Sequence, residues 1–498
     1  VRIVASLAPV VASLLLAAGP AWAQASPRSA PVGGRSALMG GTGVALARDG
    51  AAPFLNPATI IHIDDSGLAF SVNFYTAQWA NLSGFHQPGA GAGPSQSLPN
   101  TSLDTTRADA LPSTLCLFLT IGDWGDNRAK TEPTEVPGHR KGRRKLAACL
   151  AQPERSQFSA TAVGYTGQAG SLSASQGTSI QRSWNRLYVG PSYSVYVSDR
   201  LALGAAVNGI GTTASSTWGV DTLFTQGAGA GSASSYDTGM TAYSVDLNAV
   251  LGLVWHIDDV QVLGASVSTP SVHVLGNYNG TAAVQSQGPG GQGATLATSS
   301  GNFNAPVPVR VAAGFGVETQ GLRIEGDASA YLPVTYLARA DVQTQLTSLG
   351  HGATASATFP SSTQMAGWPV VDVGLGLEYF LSRRFSLLTG ASTDMSELAP
   401  LPARPAVGTL AETRMQRVTT SIGVGSYGDG SELLLGTELS YAWGKSIALD
   451  PYGEAPQLSL VDQRTYQVML IIAGSASISA FRRTLKDLGD VVKFPQAR

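Results

Sequence analysis

Ten charged residues stand at alternate positions inside otherwise apolar stretches. They are Asp246, Arg310, Glu318, Arg323, Glu325, Asp327, Asp372, Glu378, Arg417 and Glu438. Side chains at i and i+2 share one face of a strand, so these charges lie opposite an apolar face. Two chemistries follow. Acids and arginines on such a face can neutralise one another as a ladder of pairs. Alternatively, one arginine can hold a ligand carboxylate through two parallel hydrogen bonds. Arg310 and Arg417 are the candidates for that role, because Arg323 has Glu325 beside it on its own face.

Other chemistry finds no support. "WGKSI" carries Gly444-Lys445-Ser446, but a phosphate-binding loop needs a glycine five positions before Gly444, where Leu439 stands. "GGTGVAL" (Gly40–Leu46) lacks the third glycine of a dinucleotide fingerprint and its strand-then-helix setting. No G-x-S-x-G nucleophile elbow occurs. The six histidines (62, 86, 139, 256, 273 and 351) show no metal-ligand spacing. The expectation is a protein that is not an enzyme, with no metal and no cofactor. A net charge of −2 also gives no reason to expect nucleic acid as a partner.

The elements that must position the charged face are long strands. In "AYSVDLNAVLGLVWH" the odd positions Tyr243, Val245, Leu247, Leu251, Leu253 and Trp255 are apolar, while Ser244, Asp246, Asn248 and His256 are polar. "ELLLGTELSYAW", "RVTTSIGVG", "LRIEGDASAYL" and "TYQVMLIIAGSASISAF" alternate in the same way. About fourteen such segments lie between residues 66 and 481. Short links such as Ile257–Asp259 and Gly428–Gly430 alternate with long ones near 81–108, 169–184, 214–240, 280–305, 338–368, 394–414 and 445–464. Apolar faces outside, charged faces inside and links of alternating length predict an all-β fold: a transmembrane up-and-down antiparallel β-barrel of about 14 strands. A soluble β-sandwich would bury its apolar faces against each other and turn more often. Closure removes the sheet edges that lipid does not tolerate. Trp255 and Trp443 at strand ends fit interfacial aromatic girdles. A hydrolase on such a barrel would have to assemble its serine and histidine from separate strands.

The remaining segments have their own readings. The apolar run Ile3–Ala18 followed by Ala21-Trp22-Ala23 predicts a cleaved export signal over 1–23. Export leaves Cys116 and Cys149 in an oxidising compartment, where they either form a disulfide or stay as two thiols. Residues 66–481 make the barrel. Residues 124–157, with "HRKGRRK" at His139–Lys145, read as a basic periplasmic insertion, and 482–498 as a polar periplasmic tail. Residues 24–65 precede the first strand. A barrel of about 14 strands is too wide for wall side chains alone to fill, so this small-residue segment is expected to plug the lumen as a hatch.

"GRSALMGGTGVALARDGAAPFLNPATI", with Asn56-Pro57-Ala58, resembles the N-terminal hatch of the FadL/TodX family of outer-membrane transporters for long-chain fatty acids and other hydrophobic compounds. "SVDLNAVLGLVWHIDDVQVLGASVSTPSVHVLGNYNG", "GLGLEYFLSRRFSLLTGASTD" and "SIGVGSYGDGSELLLGTELSYAWGKSI" resemble its hairpins. The resemblance implies a monomeric barrel in a Gram-negative outer membrane, among its lipid and lipopolysaccharide, with a hydrophobic, fatty acid-like small molecule as its ligand. It implies extracellular capture, lumenal binding and sideways release through a gap beside a kinked third strand. That kink maps to "FSATAVGYTGQAG", with Gly164, Gly167 and Gly170. Glycine permits such a bend. A general diffusion porin and a loop-mediated adhesin are the alternatives.

Overall fold

The computed structural model describes residues 29–63, 66–83, 102–107, 111–121, 143–166, 172–226, 230–288, 291–350, 353–401, 413–450, 457–478 and 480. The proposed signal (1–23) and tail (482–498) lie outside the described residues. The chain forms one closed antiparallel barrel of 14 strands. In chain order its segments are β1 (Gly67–Ser83), β2 (Ser102–Arg107), β3 (Leu111–Ile121), β4 (Arg144–Thr166), β5 (Leu172–Tyr196), β6 (Leu201–Gln226), β7 (Ala230–His256), β8 (Gln261–Ser268), β9 (Val272–Gly288), β10 (Gly291–Asn304), β11 (Arg310–Glu318), β12 (Leu322–Tyr331), β13 (Ala338–Gly350), β14 (Ala353–Met365), β15 (Val370–Ser382), β16 (Phe385–Asp394), β17 (Thr413–Gly428), β18 (Ser431–Asp450) and β19 (Gln457–Ser477). β1 closes the ring on β19, from Gly67 opposite Ser477 to Ser83 opposite Asp462.

Several staves are interrupted. β8 and β9 are parts of one stave, as are β10 with β11, β12 with β13 and β14 with β15. Each interruption carries proline: Pro270, Pro306 with Pro308, Pro333 and Pro369. Proline has no N–H for the ladder, so these points break the strands without ending them.

Alternation sorts the side chains as read from the sequence. Leu247, Leu251, Leu253 and Trp255 of β7 face outward, whereas Ser244, Asp246 and Asn248 are buried. Val418, Ile422 and Val424 point out from β17, and Arg417, Thr419 and Ser421 point in. Lipid is the solvent that such a closed outer band suits. Among the described residues no helix is long and apolar enough to cross a membrane; strands do the crossing.

Several segments differ from expectation. The links expected near 169–184, 214–240, 280–305, 338–368 and 445–464 are largely strand: β5, β6, β7, β9, β10, β13, β14, β18 and β19 run on through them. Their Ser, Thr and Gly on both faces imitate a loop, because beyond the lipid both faces meet water. The basic insertion expected over 124–157 also shortens, since Arg144 onward is β4. There Lys145, Ala147, Cys149 and Ala151 are buried while Leu146 is exposed, an alternation that the preceding basic run disguised. The rest of the insertion, to residue 142, lies outside the described residues.

Inside the ring lies the N-terminal segment. It forms α1 (Arg35–Leu38), α2 (Ala52–Leu55) and a 3-10 helix (Pro57–His62). Its apolar side chains complete clusters with the wall. Ala45, Leu46, Ala58 and Ile61 pack with Tyr196, Ala202, Val254 and Val262, and Leu38 and Met39 pack with Leu388, Leu434 and Ile471.

Candidate functional site

The inner segment is held chiefly through its backbone. Glu325 and Asp327, two apart on the inward face of β12, accept four of its amides. Gly43 and Val44 donate to Asp327 Oδ2 at 2.7 and 3.0 Å, and Ala45 and Leu46 donate to Glu325 Oε1 at 2.6 and 3.0 Å. A run of bare amides is thereby satisfied by two buried side chains, where each donor left unpaired would cost about 1–3 kcal/mol. Gly40 has φ +70°, a left-handed conformation that L side chains rarely adopt. A Cβ on Gly252 of β7 would overlap Asn56 Oδ1, and one on Gly264 of β8 would overlap Val44 O. Wall glycines therefore let the inner backbone approach closely.

Asn56 joins segment to wall. Its Nδ2 donates to Val44 O (2.6 Å) and Leu253 O (2.9 Å), and its Oδ1 accepts from Ala58 N (3.1 Å). The last bond caps the 3-10 helix, whose first residue is Pro57, a placement suited to a residue without an N–H. Ala58 O accepts from Ser194 Oγ at 3.1 Å.

Both arginines singled out from the sequence bind this segment. Arg310 donates to Phe54 O (3.3 Å), Leu55 O (2.5 Å) and Ser266 Oγ (3.2 Å). Arg417 donates to Ser29 O at 2.9 Å. The other charges partly form the expected ladder. Arg323 pairs with Glu318 (2.7 Å) and Glu378 (3.1 Å), and Arg35 pairs with Glu432 (2.9 Å). Asp246 faces His273 at 3.2 Å. His62 and His256, remote in sequence, meet at 3.3 Å, with the Tyr196 hydroxyl 3.1 Å from His256. Among the described residues no group of three or more His, Cys, Asp or Glu is placed to hold a metal.

A cavity of about 1080 Å³, counting the part continuous with solvent, separates segment from wall. Val32, Phe54 and Leu55 line it from within, with Pro153, Tyr188, Val307 and Arg310 among the wall residues. At its rim β4 is irregular. The β4–β5 register shifts between Ala151 and Glu154, placing one extra residue on β4 at Gln152-Pro153. The β3–β4 ladder ends at the pair Thr114 and Ala151, and among the described residues β4 has no ladder partner on that side beyond it. Two inner-segment residues meet this edge: Ala30 N donates to Pro153 O (3.0 Å), and Arg155 N donates to Ser29 Oγ (2.8 Å).

Of the glycines expected to bend the third strand, Gly164 sits in regular register opposite Gln176. Gly167 and Gly170 lie outside the described residues. Within the described part of β4 the register shift lies at Gln152-Pro153, and a proline inside a strand pattern is the signal that marks it. Cys116 and Cys149 face each other across β3 and β4 and form a disulfide. Sequence reasoning missed Glu154, Arg186, Asp394 and Glu397. Glu154 accepts from Arg186 Nη1 (2.7 Å) and Trp184 Nε1 (3.2 Å).

Comparison with solved structures places the architecture. A Pseudomonas aeruginosa FadL homologue covers 92% of this chain and 99% of its own, at 15% identity and a TM-score of 0.52. The P. putida toluene transporter TodX covers 90% and 99%, at 14% identity and 0.51. The CymD monoaromatic hydrocarbon channel covers 90% and 98%, at 14% identity and 0.50. The fold is that of the FadL/TodX barrels. No protein-family profile matches the chain, and no curated protein matches it. The likeness spans nearly the whole length of those structures.

Proposed function

We propose that the protein is an outer-membrane channel through which apolar small molecules enter passively, among them fatty acid-like compounds. The observation that carries this reading is the β4 edge at Pro153, which among the described residues has no ladder partner beyond Ala151, borders the cavity and is met by Ser29 and Ala30. A molecule captured outside would reach that cavity, exchange water for apolar lining at about 25 cal/mol per Å², and leave sideways into the bilayer. Residues 24–65 serve as the hatch, and displacement of Ser29–Ala30 from the β4 edge opens the exit. Bilayer lipid and lipopolysaccharide surround the wall, and one chain suffices for the path. The names of the compared structures, a hydrocarbon channel and a toluene transporter, support an apolar cargo.

Deletion of Pro153 tests the exit. It removes the extra residue, so that Ala151 and Glu154 fall two positions apart and keep the same face. The expected result is an intact barrel, judged by heat-modifiable electrophoretic mobility, whose uptake of labelled toluene and oleate falls at least tenfold. Undiminished uptake would reject sideways release at β4. A porin reading predicts the opposite sensitivity, with sugar flux as the quantity that depends on the lumen.

A further inference from the structure

The cavity described above has a neighbour of opposite charge. A second pocket adjoins it at Ala30, which lines both. Three arginines line this second pocket, Arg155, Arg182 and Arg417, together with Gln78, Gln463 and Gln467 and, among the described residues, no carboxylate. It lies nearer the external end, since it takes Thr413 and Arg417 from the start of β17 whereas the first cavity takes Thr419. The first cavity is acidic: Glu154, Asp394, Glu397 and Glu438 line it, against Arg310 as the basic residue among its described lining. Arg310 is engaged by inner-segment carbonyls, and Glu154 by Arg186. Glu397 is 5% exposed, and among the described residues its Oε1 has no hydrogen-bond partner. A buried acceptor without a donor is destabilising, and a ligand that donates to it recovers that loss.

We propose that the inner cavity takes neutral apolar molecules bearing a hydroxyl head, such as a medium-chain alcohol or an alkylphenol, with the hydroxyl donating to Glu397. The two charged pockets in series sort against ions. A carboxylate held by the arginines would have to leave them for a cavity whose basic residue among the described lining, Arg310, is already engaged by inner-segment carbonyls, while an ammonium group is opposed at the first step. A hydroxyl passes both and supplies the donor that Glu397 lacks. This inference rests on the lumen being a path for apolar molecules, as proposed above.

Calorimetric titration of the purified full-length protein in non-ionic detergent tests it, with octan-1-ol, octanoate, octylamine and p-xylene at pH 7.5. Octanol is expected to bind at least tenfold more tightly than either ion. Glu397→Leu removes the acceptor and should weaken octanol at least fivefold. Glu397→Gln keeps an acceptor, so octanol should stay within twofold of the parent and keep its advantage over both ions. Binding of octanoate or octylamine as tight as octanol overturns the proposal, as does an unchanged octanol affinity in Glu397→Leu. The selectivity of the parent and of Glu397→Gln decides the matter even where the leucine variant does not fold. If p-xylene binds and octanol has no advantage, only this inference falls. If neither binds, the proposed path falls with it.

Discussion

At the scale of single residues, the inner segment depends on side chains that serve backbone groups. Asn56 satisfies two carbonyls and one amide at once, with its side chain fully buried. Asn56→Ala should leave those groups unpaired and weaken docking of the segment by about 3 kcal/mol, roughly a hundredfold in the undocked fraction. Amide hydrogen exchange at Gly43–Leu46 measures this, and protection there should fall at least tenfold. Unchanged protection would mean that Glu325 and Asp327 hold the segment alone. Some of this was legible in the sequence. The inward placement of Asp327, Arg310 and Arg417 followed from alternation. Their partners did not, because a carboxylate that neutralises an arginine and one that receives backbone amides look alike in a strand pattern. The residues of the inner cavity escaped for another reason: Glu397 and Asp394 stand at the end of β16 and beyond it, where no period assigns a face.

At the scale of elements, alternation revealed the staves wherever one face meets lipid. It failed where both faces meet water, which is why hairpin extensions such as β6–β7 read as loops. Tight turns were correctly legible from short polar links, and the β7–β8 turn shows why they hold. Asp258 accepts from Val260 N (2.8 Å) and Gln261 N (2.6 Å). Those backbone bonds hold its carboxyl below the ordinary value. A depressed pKa stabilises the folded form above the unfolded carboxyl value of about 3.9 and loses that effect as pH falls through the folded value. Asp258→Ala should therefore lower the temperature of barrel unfolding at neutral pH. The difference from the parent should vanish on acidification past the depressed pKa. Unfolding temperatures followed by heat-modifiable mobility across a pH series check this, and a gap that persists in acid would assign the effect to something other than the carboxylate.

At the scale of the whole molecule, a ring and a filling are made from one chain, and the two are fastened at many separate points around the wall. β12, β7, β8 and β17 each contribute hydrogen bonds to the segment. Deleting Ala37–Asn56 should leave the ring closed, since β1 and β19 pair without that segment. Planar bilayer recordings should then show higher conductance for small ions than the intact protein gives, and equal conductance would reject the hatch. The architecture as a whole was the most legible feature, because a closed sheet between lipid and water imposes one rule on every strand. The extra residue at Pro153 was the least legible, because it breaks that rule once.

The disulfide acquires a meaning from its place beside that break. Cys116 and Cys149 are paired two positions from Thr114 and Ala151, where the β3–β4 ladder stops. A seam that is left open at one end tends to unravel under load, one stitch after another. A covalent stitch just below the ladder's end fixes how far such unravelling can run, so the lower seam stays sewn.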